Sequence, residues 1–232
     1  MKKIKKIIKK RFKLFINSLN VNNHSFNKRV FTKIYEKDLF NERSNNANNV
    51  SKSGSGSDLE QTKEIIEKLP ILLKKYEIKS MLDIPCGDFY WMKNVDLNSI
   101  NYIGADIVEK VINENNIKFS NSSITFKEID ILTQPLPKVD LIFCRDLLVH
   151  LKNKQISLAL KNIQKSGSKY LLTTSFKNTT VNIDNGEIGI WRPINLEIAP
   201  FNMDNPVDSL FENCTEKNGK YIDKYLLLYR LN

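Results

Sequence analysis

From Asp58 onward the chain alternates short apolar runs with amphipathic stretches, and this rhythm limits the fold more than any other feature. Runs at 80–84, 102–106, 124–129, 139–144 and 169–176 have the length and composition of strands. Before the first, "DLEQTKEIIEKLPILLKKY" spaces Ile65, Ile66, Leu69, Leu72 and Leu73 as one helical face, with Asp58 at the N-cap position and Pro70 expected to kink or split it. A helix is expected to about Asn116, and "NKQISLALKNIQKSG" (153–167) sets Ile156, Leu160 and Ile163 at helical spacing. The alternation predicts an α/β fold, a mostly parallel sheet with helices on both faces. Two later strand-like runs, Val207–Cys214 and Tyr221–Leu231, have no clear helix between them and suit an antiparallel hairpin at the sheet edge.

The net charge of +10 would suggest an anionic partner, but its location changes that reading. "MKKIKKIIKKRFK" (1–13) carries eight basic residues and no acid, leaving 28 basic against 26 acidic residues elsewhere. The body is nearly neutral, so charge gives no warrant for a nucleic-acid-binding face. Residues 1–19 have the pattern of a basic amphipathic helix able to lie on an anionic membrane surface; a solvated or partner-packed arm is the alternative. The chain divides into an N-terminal arm (1–40), a Gly/Ser-rich loop (41–57) and a domain (58–232). Three scattered cysteines without CxxC spacing argue against a disulfide scaffold or zinc site and for a reducing compartment. With no long apolar run and no signal-peptide pattern, the expected location is the cytoplasm, peripheral to the membrane if the arm binds it.

Three successive strand ends are polar. The first gives the turn Asp83-Ile84-Pro85-Cys86-Gly87-Asp88, with one glycine and two acids. Gly87 permits a tight turn and close approach of a ligand. The second ends in Asp106-Ile107, where a carboxylate can accept from both hydroxyls of a ribose. The third ends in Asp130-Ile131, placed to hold a purine amine and a ring face. A dinucleotide would call for GxGxxG, and no Walker lysine motif is present. Acids repel a pyrophosphate but suit a cationic, phosphate-free nucleoside, which favours S-adenosylmethionine over NAD or ATP.

The segments "MLDIPCGD", "YIGADI", "EIDIL" and "DLIFCRDLLVHL" occur in order, and the chain resembles the class I S-adenosylmethionine-dependent methyltransferases over about residue 58 to the end. The lead-in "SGSGSDLEQT" and "WRPINLEIAPFN" resemble a narrower bacterial set associated with surface-polysaccharide and small-molecule modification. The resemblance implies a Rossmann-like seven-stranded sheet of order 3-2-1-4-5-7-6 with strand 7 antiparallel. Pro85 stands where the first motif usually has its second glycine, which removes one backbone donor. The cofactor set implied is Ser55, Gly56, Asp83, Pro85, Cys86, Gly87, Asp106, Ile107, Asp130, Ile131 and Arg145.

After the fourth strand, "CRDLLVHL" offers Arg145, Asp146 and His150. If a helical turn forms there, Asp146 and His150 share a face, with His150 as general base and Asp146 orienting it; a capping or packing role for His150 is the alternative. Cys86 and Cys144 read as small buried fillers rather than nucleophiles. No carboxylate cluster for a metal can be assembled, and the Pro-Pro run common in base and amide N-methylation is absent. Trp191, Arg192, Asn195 and Glu197 suit a sugar, ring face on indole and hydroxyls on the polar groups; an ordered packed loop is the alternative. Ser53–Ser57 is expected to act as a hinged lid. The expected activity is O-methylation of a saccharide or related small polar acceptor. The rivals are an RNA or protein methyltransferase docking through the basic arm, and a non-catalytic membrane or assembly module.

Overall fold

A computed structural model describes residues 23–44, 51–184 and 186–231. The basic stretch 1–19 lies outside them. Seven strands, β1 (Ser80–Asp83), β2 (Asn101–Asp106), β3 (Ile124–Glu128), β4 (Leu141–Cys144), β5 (Tyr170–Phe176), β6 (Asp208–Phe211) and β7 (Lys224–Arg230), form one sheet of order β3-β2-β1-β4-β5-β7-β6. The first five are mutually parallel, and β7 runs antiparallel between β5 and β6. The tail does form a hairpin, but β7 is interior and only β6 lies at the edge. This is the Rossmann-like methyltransferase topology.

Residue parity along the central strands divides the core. Met81, Leu141, Phe143 and Leu172 pack with Ile65, Leu69 and Leu73 of helix α3 (Leu59–Lys75) on one face. Leu82, Ile142, Cys144 and Leu171 pack with Ile156, Ala159 and Ile163 of α5 (Asn153–Lys165) on the other. Successive side chains of a strand point oppositely, so continuous apolar runs are what a sheet covered on both faces requires. The Asp58 carboxylate caps α3 by accepting from Gln61 N–H at 2.7 Å, and α3 runs through Pro70 as one helix. Helix α4 (Glu109–Phe119) follows β2.

The N-terminal region holds two further helices, α1 (His24–Glu36) and α2 (Leu39–Ser44). Helix α1 buries Ile34 and Tyr35 and lays Phe26, Val30 and Phe31 against the core. Among the described residues, no helix is long and apolar enough to cross a membrane.

Candidate active site

The carboxyl ends of β1, β2, β3 and β4 open into one cavity of about 410 Å³. Parallel strands end on one side of a sheet, and winding reverses between β1 and β4, leaving a crevice between the two halves. Register aligns the walls: Asp83 lies opposite Gly104 and Phe143, and Asp106 opposite Glu128.

All the proposed cofactor residues line this cavity: Ser55, Gly56, Asp83, Pro85, Cys86, Gly87, Asp106, Ile107, Asp130, Ile131 and Arg145. Asp83 is buried and accepts from the Tyr102 hydroxyl at 2.6 Å. Burial pushes its carboxyl up to about 8, against the pull of that hydrogen bond. Asp106 accepts from Val108 N–H at 2.9 Å and Gly87 N–H at 3.3 Å. Burial raises it to about 6, with those donors working the other way. Asp130 accepts from Leu132 N–H, the Thr133 hydroxyl and His24 Nδ1, all within 3.0 Å.

The second acid of the turn after β1 is Asp88. Its carboxylate accepts from the Ser51 and Ser53 hydroxyls and from Lys52 N–H at 2.9–3.1 Å. The Gly/Ser-rich segment is thus fastened over the turn. Gly87 has φ +53, and a Cβ there would fall 2.2 Å from Ser53 Oγ, so the close approach needs glycine. At the other end of the segment, Ser55 Oγ donates to Glu216 and the Gly56 carbonyl accepts from Arg145 at 2.8 Å.

Arg145 belongs to a buried ionic group that local spacing could not reveal. Its Nε and Nη2 donate to Glu212 Oε2 at 3.1 and 2.8 Å. Lys224 Nζ lies 3.1 Å from that oxygen and donates to Asp146 Oδ2 at 2.6 Å. Lys224 and Glu212 come from the tail hairpin and its flank, 78 and 66 residues beyond Asp146. The segment that carries Asp146 and His150 is not a regular helical turn. Asp146 has φ +56, and the turn Leu148–His150 is a 3₁₀ turn. Burial raises the Asp146 carboxyl, but Lys224 and Arg145 outweigh it and hold it down to about 2. Lys224 takes Asp146 Oδ2, and Asp146 Oδ1 has no hydrogen-bond partner.

His150 lines the cavity, its ring 4.9 Å from that of Phe40 in a tilted contact. Trp191 also lines it, in edge contact with Phe176 at 5.7 Å and Tyr221 at 4.7 Å. Ile190 of the same loop lines it as well. The Asn195 amide donates to the Lys177 and Thr179 carbonyls, and its oxygen accepts from Glu197 N–H, so it braces the loop. Arg192 is buried and bonds Asn153 Oδ1. Arg192, Asn195 and Glu197 are not among the residues that line the cavity. The cysteines are buried, and burial pushes the Cys144 thiol up to about 12.

The donor set fits a cationic nucleoside. Two buried acids held in a protonatable range mark a site that lacks a counter-charge. Pro85 has no N–H, and Gly87 N–H already serves Asp106, so the turn offers no phosphate cradle.

Comparison with known proteins agrees with this chemistry. Residues 82–169, from within β1 to the start of β5, match a family model described as a methyltransferase domain. No curated protein sequence matches the chain. Among solved structures, the N-methyltransferase NodS from Bradyrhizobium japonicum WM9 aligns with TM-score 0.56 at 16% identity, over 76% of this chain and 98% of that one. An S-adenosylmethionine-dependent methyltransferase from Clostridium acetobutylicum ATCC 824 aligns with TM-score 0.53 at 15% identity, over 73% and 92%. At these identities the likeness establishes the fold. The methyltransferase domain of bacterial CtHen1 gives TM-score 0.42 at 12% identity, over 50% of this chain. The chain spans just under two thirds of the length of that structure, 66%. With the domain match, the donor set identifies S-adenosylmethionine as the cofactor.

Proposed function

We propose that the protein is an S-adenosylmethionine-dependent methyltransferase acting on a hydroxyl of a saccharide or related small polar acceptor. One observation carries this reading. The cavity joins a half walled by strand-end acids to a half walled by Phe40, Phe176, Trp191 and Tyr221, with His150 among them. Bound S-adenosylmethionine supplies a methyl group on a positively charged sulfur. Asp83 and Asp106 would face its cationic and ribose parts, with Ile107 and Ile131 as apolar walls for the base. In the aromatic half, the Trp191 ring offers a face to sugar C–H groups. His150 accepts the proton leaving the acceptor oxygen as general base. Asp146, fixed as an anion by Lys224, supports the local field and keeps an oxygen for a hydroxyl donor. The aromatic walls and the fastened 51–57 segment exclude water and hold the acceptor in line, which can contribute about 7–11 kcal/mol of barrier lowering.

The test is calorimetric titration with S-adenosylmethionine, then methyl-transfer assays over nucleotide sugars and surface glycans. His150→Ala should reduce turnover at least about a hundredfold while leaving cofactor affinity unchanged. Equal turnover would remove His150 from the mechanism, and activity confined to amine acceptors would overturn the hydroxyl assignment.

A further inference from the structure

Helix α1 precedes the matched methyltransferase domain, yet it forms part of the cofactor wall. His24, Asn27, Phe31 and Tyr35 fall on one helical stripe, and the last three line the cavity. The helix is tied to strand ends that face the ligand. His24 Nδ1 meets Asp130 Oδ2 at 3.0 Å, and Lys28 Nζ bonds Glu109 and Glu128 at 2.9 and 2.7 Å. Phe31 and Tyr35 pack with Ile107, Val108 and Val111 just beyond β2. These contacts set this stripe of α1 beside the carboxyl ends of β2 and β3.

Asn27 is 1% exposed, and its Oδ1 accepts weakly from Gln155 Nε2 at 3.4 Å. Its Nδ2 has no hydrogen-bond partner. A buried amide donor without an acceptor is costly, and native structures leave few of them. Asp130, one helical turn away through His24, already receives three donors and has little acceptor capacity left for an exocyclic amine. We infer that Asn27 is a cofactor-selecting residue whose Nδ2 donates to a ring nitrogen of adenine. The inference rests on the S-adenosylmethionine reading above. It assigns base recognition to a helix outside the matched domain. Phe31 supplies an apolar wall beside Asn27.

The test uses the full chain and S-adenosylhomocysteine with its 1-deaza, 3-deaza and 7-deaza analogues, with dissociation constants measured by calorimetry. In the unaltered protein, one deaza analogue should bind at least about tenfold more weakly, because it lacks the accepting nitrogen. In Asn27→Leu that penalty should vanish, and S-adenosylhomocysteine itself should bind about tenfold to a hundredfold more weakly. An equal deaza penalty in the variant overturns the inference while leaving the cofactor reading intact. Failure of the unaltered protein to bind S-adenosylhomocysteine overturns both. Should Asn27→Leu not fold, Asn27→Asp decides: it preserves shape and replaces the donor by an acceptor. It should weaken binding at least tenfold, and unchanged binding sinks the proposal.

Discussion

At the scale of single residues, the site is defined by carboxyl groups in unequal protonation states. Burial lifts Asp83 from 3.8 to about 8, whereas Lys224 and Arg145 outweigh burial and keep Asp146 ionised at about 2. A carboxyl raised in the folded state stabilises the fold below its unfolded pKa, and that contribution is lost as pH climbs through the folded one. The free protein should therefore lose stability between about pH 4 and pH 8 through Asp83. Asp83→Asn should recover about 2–5 kcal/mol at pH 8 relative to pH 5 in urea unfolding, while weakening cofactor binding. An unchanged pH profile would contradict the assignment. Placing a cation beside Asp83 should expel its proton at pH 7. The calorimetric binding enthalpy should then depend on buffer ionisation enthalpy, and affinity should rise from pH 6 to pH 8. The strand-end acids were visible in the sequence because a strand's end is marked by where its apolar run stops. The partner of Asp146 was not, since Lys224 lies 78 residues away and only sheet pairing brings it near.

At the scale of elements, the segment 51–57 behaves as a strap rather than a freely hinged flap. Asp88 holds it through two serine hydroxyls and a backbone N–H, and Arg145 and Glu216 hold its far end. Asp88→Ala should release residues 51–57 to protease and weaken S-adenosylmethionine binding about tenfold, with little change in global unfolding. Protection equal to that of the unaltered chain would show that the serines hold the segment without the acid. Composition marked this segment as polar and Gly/Ser-rich, and mobility followed from that alone. The contrary evidence is spatial: each hydroxyl finds an acceptor on a turn more than thirty residues away. Helix α1 was missed for a related reason. Its stripe was in fact legible, since Phe26, Val30, Phe31, Ile34 and Tyr35 recur at helical spacing; what spacing does not show is the sheet face they pack against.

For the molecule as a whole, the strand rhythm gave the α/β class and a mostly parallel sheet, while the strand order came from the resemblance to the class I methyltransferases. What the rhythm could not give is how the two ends of the chain meet over the middle. The N-terminal helix closes one side of the cavity, and the tail hairpin supplies the lysine on the other. Lys224→Met should cost about 3–5 kcal/mol in denaturant unfolding, because it strips Asp146 and Glu212 of a buried cation. A loss below about 1 kcal/mol would mean that Arg145 alone balances both acids.

That dependence on Lys224 has a consequence for synthesis. A nascent chain emerging from the ribosome exposes β1 to β5 long before residues 212 and 224 arrive, and until then Arg145 and Asp146 lack the two partners that complete the buried ionic group. Maturation of the catalytic cleft should accordingly be a late event, timed by release of the C-terminal strand rather than by collapse of the central sheet.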